Sequence, residues 1–164
     1  MPYTVAMIPG VPSNSRRGIA FLESDDDCRI DGKEVFDGCK EKTRRDLLAR
    51  FDHWLSGQTG DHYFHGWPND TEHKYCFVFK WKQAGTNHRL YGFICNPRQP
   101  TDPRFQACIL VLHARKNTSD TDPSLLGLVN SVREQPEVLK SIVSAFAISD
   151  ISHAKRTTLD RRKR

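Results

Sequence analysis

An α+β domain is the fold class this sequence predicts, and three observations predict it. Apolar residues recur at helical spacing over 43–56, alternate over 75–115, then return to helical spacing over 123–146. Polar or proline-bearing breaks separate these stretches. At 164 residues the chain is about one domain, long enough to bury a core without disulfide staples. One domain over 1–152, with a basic tail over 153–164, follows from the composition.

Residues 1–42 form an N-terminal extension with the weakest pattern. TVAMI reads as a first strand and GIAFLESDDD as a second, ending in an acidic turn. Asp25, Asp26 and Asp27 are consecutive and do not share one side, which favours a solvated turn over a cation site. Residues 43–56 give the clearest early helix. Thr43 is placed to cap it, Asp46 stands in the capping-box position, and Gly57 is a natural stop. Leu47, Leu48, Phe51, Trp54 and Leu55 form its apolar face, expected to pack across a sheet.

The segment 58–74 is a polar, aromatic loop. Its His62, His65 and His73, with Cys76 beyond, are too loosely spaced for a structural zinc site. Three strands follow, at 75–82, 89–95 and 107–115. In the first, Phe77, Phe79 and Trp81 alternate with Val78, Lys80 and Lys82. In the second, Arg89, Tyr91 and Phe93 share a face. In the third, strict alternation puts Cys108, Leu110 and Leu112 on one face, and Ile109, Val111, His113 and Arg115 on the other. NPRQPTDPR over 96–104 reads as the loop of a hairpin. Asp122-Pro123 opens a helix to about 134, with Asp as cap and Pro at the first position. Pro136 restarts another, carrying Leu139, Ile142, Val143 and Phe146.

The net charge is +5, and the tail HAKRTTLDRRKR alone carries that much, so the body is close to neutral. The tail reads as an anion-seeking extension that contacts RNA or the ribosome, or simply aids solubility. Five cysteines in no tight pattern suit reduced thiols in a cytoplasmic setting. No apolar run approaches transmembrane length, and MPYTVAMIPG lacks the basic start of a secretory signal.

Cations recur at the strand ends instead of scattering. Lys80, Lys82, Arg89, Arg115 and Lys116, with Tyr91 and His113, form a set that can hold a phosphodiester and move its protons. Cleavage by a ribose 2′-hydroxyl needs a base, charge stabilisation of the phosphorane, and an acid for the leaving oxygen. Lys and Arg supply the second and His suits the others near neutral pH, with no metal or cofactor. Bringing the strands together antiparallel gathers the set around one anion-binding concavity, subject to register.

FKWK, HRLYGF and CILVLHARKNTSDTD, in the order helix, three antiparallel strands, helix, resemble the RelE/HigB superfamily of toxins. The resemblance covers about 43–134. It implies a small antiparallel sheet packed against helices. It also implies the toxin half of a type II toxin–antitoxin pair that cleaves mRNA on the ribosome, with an antitoxin protein as partner. Carried over, Lys80 and Lys82 match the family's spaced lysines, Arg89 and Tyr91 its basic-aromatic pair, and Arg115 and Lys116 its basic strand end. The candidate catalytic set is thus Lys80, Lys82, Arg89, Tyr91, His113 and Arg115. Lys116, Arg161, Arg162, Lys163 and Arg164 are candidate RNA contacts. Two alternatives stay open: a non-catalytic member of the same fold that binds RNA or protein, and an unrelated accessory protein of a phage or mobile element.

Overall fold

A computed structural model describes residues 2–60, 62–116 and 122–147; the predicted RNA contacts Arg161, Arg162, Lys163 and Arg164 lie outside the described residues. In chain order the elements are β1 (Tyr3–Met7), β2 (Arg17–Ser24), α1 (Gly32–Gly38), α2 (Glu41–Leu55), β3 (Phe64–Gly66), β4 (Cys76–Gln83), β5 (Thr86–Cys95), β6 (Gln106–Lys116), α3 (Pro123–Arg133) and α4 (Pro136–Phe146). The class is α+β, with the strands forming one six-stranded sheet in the order β1-β2-β6-β5-β4-β3.

The sheet is mixed, where the sequence predicted an antiparallel one. β2 runs parallel to β6, Ile19 facing Cys108 and Phe21 facing Leu110. The other pairings are antiparallel. Parallel neighbours need a long crossover, and here everything between β2 and β6 supplies it. As a result β2 belongs to the same sheet as the later strands. β6 becomes an interior strand covered on both faces, which explains its unbroken CILVL run.

Two cores follow, one on each face. On the first, α1 and α2 bring Phe36, Leu47, Phe51 and Trp54 against Phe21, Phe79, Trp81, Leu90 and Leu110. Phe51 meets Phe79 edge-on, with ring centroids 4.9 Å apart. On the second, α3 and α4 bring Leu126, Val129, Val132, Val138, Ile142 and Phe146 against Leu22, Val78, Tyr91, Phe93, Ile109 and Val111.

The helix ends differ in detail from expectation. α2 begins at Glu41 after Lys40, so Thr43 lies inside the helix instead of capping it. Gly57 does take a positive φ of 81° just past the end. Asp122 caps α3, its Oδ1 accepting from the Ser124 N–H at 2.9 Å. In α4 the buried face is Val138, Ile142 and Phe146, while Leu139 and Val143 are exposed. α4 is thus rotated from the predicted face, because an apolar stripe this broad permits more than one docking angle.

β6 contains a bulge that the strict alternation did not foresee. Tyr91 faces Leu112 but Gly92 faces Leu110, leaving Val111 as the extra residue. Gly92 makes this possible. A Cβ there would sit 2.0 Å from the Ile109 carbonyl oxygen. The extra residue shifts the alternation, so Leu112 joins Ile109 and Val111 on the α3/α4 face. His113 and Arg115 move to the α1/α2 face, the reverse of their predicted side.

Candidate active site

The β4–β5 hairpin closes with Ala84 and Gly85, both at positive φ, 50° and 79°, as a two-residue hairpin loop requires. Gln83 therefore pairs with Thr86, and the register of both strands is fixed. Lys80 faces Arg89, which faces Ala114; Lys82 faces Asn87, which faces Lys116. These two neighbouring rows lie on the α3/α4 face at the hairpin end. Four cations thus occupy two adjacent rows, and like charges directly opposite repel unless an anion screens them. Arg89 Nε is buried and has no hydrogen-bond partner among the described residues. Lys116 is largely buried, and its charge helps hold the Asp122 carboxyl below the usual range, after the hydrogen bonds from Ser124.

Tyr91 lies further along the same face but is fully buried, its ring stacked on Trp67 with centroids 6.4 Å apart. It has no surface with which to meet a substrate.

The opposite face of the same hairpin holds a different group. Trp81 faces His88, and His88 faces Arg115. His88 Nδ1 and His113 Nε2 are 2.8 Å apart, a hydrogen bond between two imidazoles. Trp81 stacks on His88 at 5.1 Å between centroids, with an interplanar angle of 15°. From β6, the His113 backbone N–H donates to Asp31 Oδ1 at 2.9 Å, tying the start of α1 to the strand just after the bulge. A cleft of about 410 Å³ opens here, lined by Val35, Gly38, Cys39, Trp81, His88, His113 and Arg115 among others.

Both imidazoles are driven towards neutrality. Burial, then the Arg115 charge, lowers His88 from the ordinary histidine value. Burial also dominates at His113, followed by His88; Asp31 acts in the opposite direction and Arg115 adds to the lowering. In a neutral pair one ring donates its N–H to the other. The donating ring then offers a bare outer nitrogen, and the accepting ring an outer N–H. A base and an acid therefore stand side by side. Cys39 is a poorer candidate for chemistry, since burial raises its thiol while Arg44 opposes that, and its Sγ donates to the Val35 carbonyl.

The predicted residues therefore fall into two groups. Lys80, Lys82, Arg89 and Lys116 gather on one face, with Tyr91 buried beyond them. His113 and Arg115 lie on the other, where His88 and Trp81 join them. The single concavity expected from the sequence does not form, because the Val111 bulge redirects the end of β6. His88 escaped the sequence reading. Its signal lay in the hairpin register, which sets it opposite Trp81; its place diagonal to His113 comes from the bulge in β6.

His65 packs edge-on against Trp67, and His73 bonds to Asp70. Among the described residues no group of three or more His, Cys, Asp or Glu side chains is placed to hold a metal ion. No described helix is long and apolar enough to cross a membrane. Compared with family models, with characterised proteins and with solved structures, the chain matches none.

Proposed function

We propose that this chain is an RNA-cleaving toxin of the RelE/HigB type, acting on ribosome-bound mRNA and held in check by an antitoxin protein. The observation that carries the reading is the neutral His88–His113 pair, 2.8 Å apart and open to a cleft beside Arg115. The bare outer nitrogen of one ring takes the 2′-hydroxyl proton. The 2′-oxygen attacks phosphorus and the P–O5′ bond breaks. The shared N–H shifts across the pair, and the other ring gives its outer proton to the departing O5′. The pair ends neutral, in the opposite tautomer, leaving a 2′,3′-cyclic phosphate and a 5′-hydroxyl. Arg115 supplies charge to the phosphorane. Proton transfer of this kind contributes about 10²–10⁴-fold in rate.

The cationic rows of Lys80, Arg89, Lys82 and Lys116 support a role in holding the RNA backbone. They also favour a second reading, in which the chain binds RNA without cutting it. Induced expression in a bacterial host, with growth and mRNA 5′ ends followed in time, separates the two. The toxin reading predicts growth arrest, and relief of it by His113→Ala and by Arg115→Ala in variants that still fold. A wild type that leaves growth and ribosome-bound mRNA intact, yet binds RNA through Lys80 and Arg89, establishes the second reading instead.

A further inference from the structure

A two-lobed cavity lies at the far end of the sheet from the histidine pair. Its lobes, of about 570 and 330 Å³, share Arg17, Trp54, Gly66, Pro68 and Phe77 as walls. Along β4, Phe77 is four residues from Trp81, so the groove and the His88–His113 cleft are roughly 13 Å apart on one strand face. α2 crosses between them, with Phe51 packed on Phe79.

The groove combines aromatic planes with cations. Trp67 and Tyr75 line the larger lobe with Phe77 and Trp54. The Arg17 guanidinium lies 4.6 Å from the centre of the Trp54 ring and donates to the Trp54 carbonyl at 2.5 Å. Arg17 is thereby fixed as a flat charged surface at the junction of the lobes. Lys74 is exposed at the rim, its Nζ 5.0 Å from the Tyr75 ring centre. Trp67 is half-buried, with Tyr91 stacked behind it and His65 at its edge. Gly66 carries no side chain where the lobes join, and a Cβ there would already press on Phe77 and the Cys76 carbonyl at 3.3 Å.

The thiols on the wall are inert. Burial pushes Cys76 up to about 11 and Cys95 up to about 12, so neither is a thiolate at neutral pH. The groove is equipped to bind, not to react. Aromatic and guanidinium planes stack on nucleobases of any identity, and flanking cations take the phosphate. Gln99 and Gln106, also on the wall, are both exposed and offer donors and acceptors to a base edge.

We infer that this groove holds an unpaired nucleobase of single-stranded RNA, stacked on Trp67 with its phosphate towards Lys74 and Arg17. The inference rests on the RNA reading above, but its test does not depend on cleavage. The binding of a labelled adenylate oligomer of roughly eight nucleotides is followed by fluorescence anisotropy, in the full chain carrying His113→Ala to prevent cutting. The expected result is saturable binding that survives raised salt better than phosphate contacts alone allow. Trp67→Ala, checked for folding by circular dichroism, weakens it by about 5- to 100-fold.

Lys74→Glu, at the exposed rim and outside the core, provides a variant that does not endanger folding; it weakens binding at least threefold. Unchanged affinity in both variants overturns the inference. Adenosine monophosphate that binds in a Trp67-dependent way, where the oligomer does not, makes the groove a free-nucleotide site and also overturns it. Oligomer binding that depends on Trp67, in a chain whose wild type never cuts mRNA, leaves the groove standing and sinks the endonuclease. Cleavage with no Trp67-dependent binding does the reverse.

Discussion

Replacing Gly92 by alanine tests the bulge that decides where His113 points. An added Cβ would lie 2.0 Å from the Ile109 carbonyl oxygen, 2.8 Å from the Ile109 carbonyl carbon and 2.9 Å from Leu110 Cα. All three are backbone atoms, so no change of rotamer relieves the contact. The neighbouring strand has to move in the interior of the sheet, where both faces are packed. Ordinary overpacking costs about 1–3 kcal/mol; a collision with backbone belongs at or above the top of that range. For a domain of this size, about 3 kcal/mol lowers the melting temperature by roughly 6–12 °C. Gly127→Ala is the matched control. Gly127 lies inside α3, and a Cβ there would meet nothing within 4 Å. Removing a mid-helix glycine should stabilise by about 0.5–1 kcal/mol. Thermal melts by circular dichroism read both variants. If Gly92→Ala melts within about 2 °C of wild type, the close approach at the bulge is not as described, and the placement of His113 beside His88 loses its support.

The histidine pair predicts a pH dependence of stability. Both folded values are lowered from 6.5, so above that pH neither state binds a proton and the pair contributes no slope. Below it the unfolded chain takes protons that the fold resists, and stability falls as acid is added until the folded values are passed. Urea melts between about pH 7.5 and 5 should show this decline, and a His88→Gln, His113→Gln double variant should show a shallower one; equal slopes would rule out the neutral pair. At the start of α3, Asp122→Ala removes the acceptor for the Ser124 N–H and should cost about 1 kcal/mol, read from the same urea melts. A loss below the error of the melts would mean that water caps the helix equally well.

Much of the scaffold was legible because local pattern decided it. Leu47, Phe51, Trp54 and Leu55 recur at helical spacing in α2, and no strand could bury them together. The alternation of β4 separated Phe77, Phe79 and Trp81 from Val78, Lys80 and Lys82, whereas the register that Ala84-Gly85 imposes emerged only in the fold. α1 was missed because seven residues with Phe36 as the main buried side chain are too short to establish a period. The parallel pairing of β2 with β6 was also out of reach. It joins residues nearly ninety positions apart, and nothing in either segment alone records which neighbour it takes. The unbroken apolar run of β6 announced burial on both faces but not the partner.

The site was legible in its parts and not in its assembly, and one residue accounts for the difference. Continued without interruption from Cys108 and Leu110, the alternation of β6 puts His113 and Arg115 on the face of Arg89 and Lys80, where His113 would stand among Lys80, Lys82, Arg89 and Arg115. The extra residue at Val111 exchanges the two sets. It carries Lys116 into the rows of Lys82 and Asn87, and it takes His113 and Arg115 away to His88 and Trp81. A histidine among four cations would be a poor proton carrier, since every neighbour would oppose its protonation. Beside a second imidazole, with the Asp31 carboxylate close by, it gains a proton partner at 2.8 Å and one opposing charge. The bulge thus separates the cationic rows from the imidazole pair on opposite faces of the sheet, and under the proposed function these would be the backbone-holding and the proton-transferring groups. The absence of a side chain at Gly92 is what lets the bulge form.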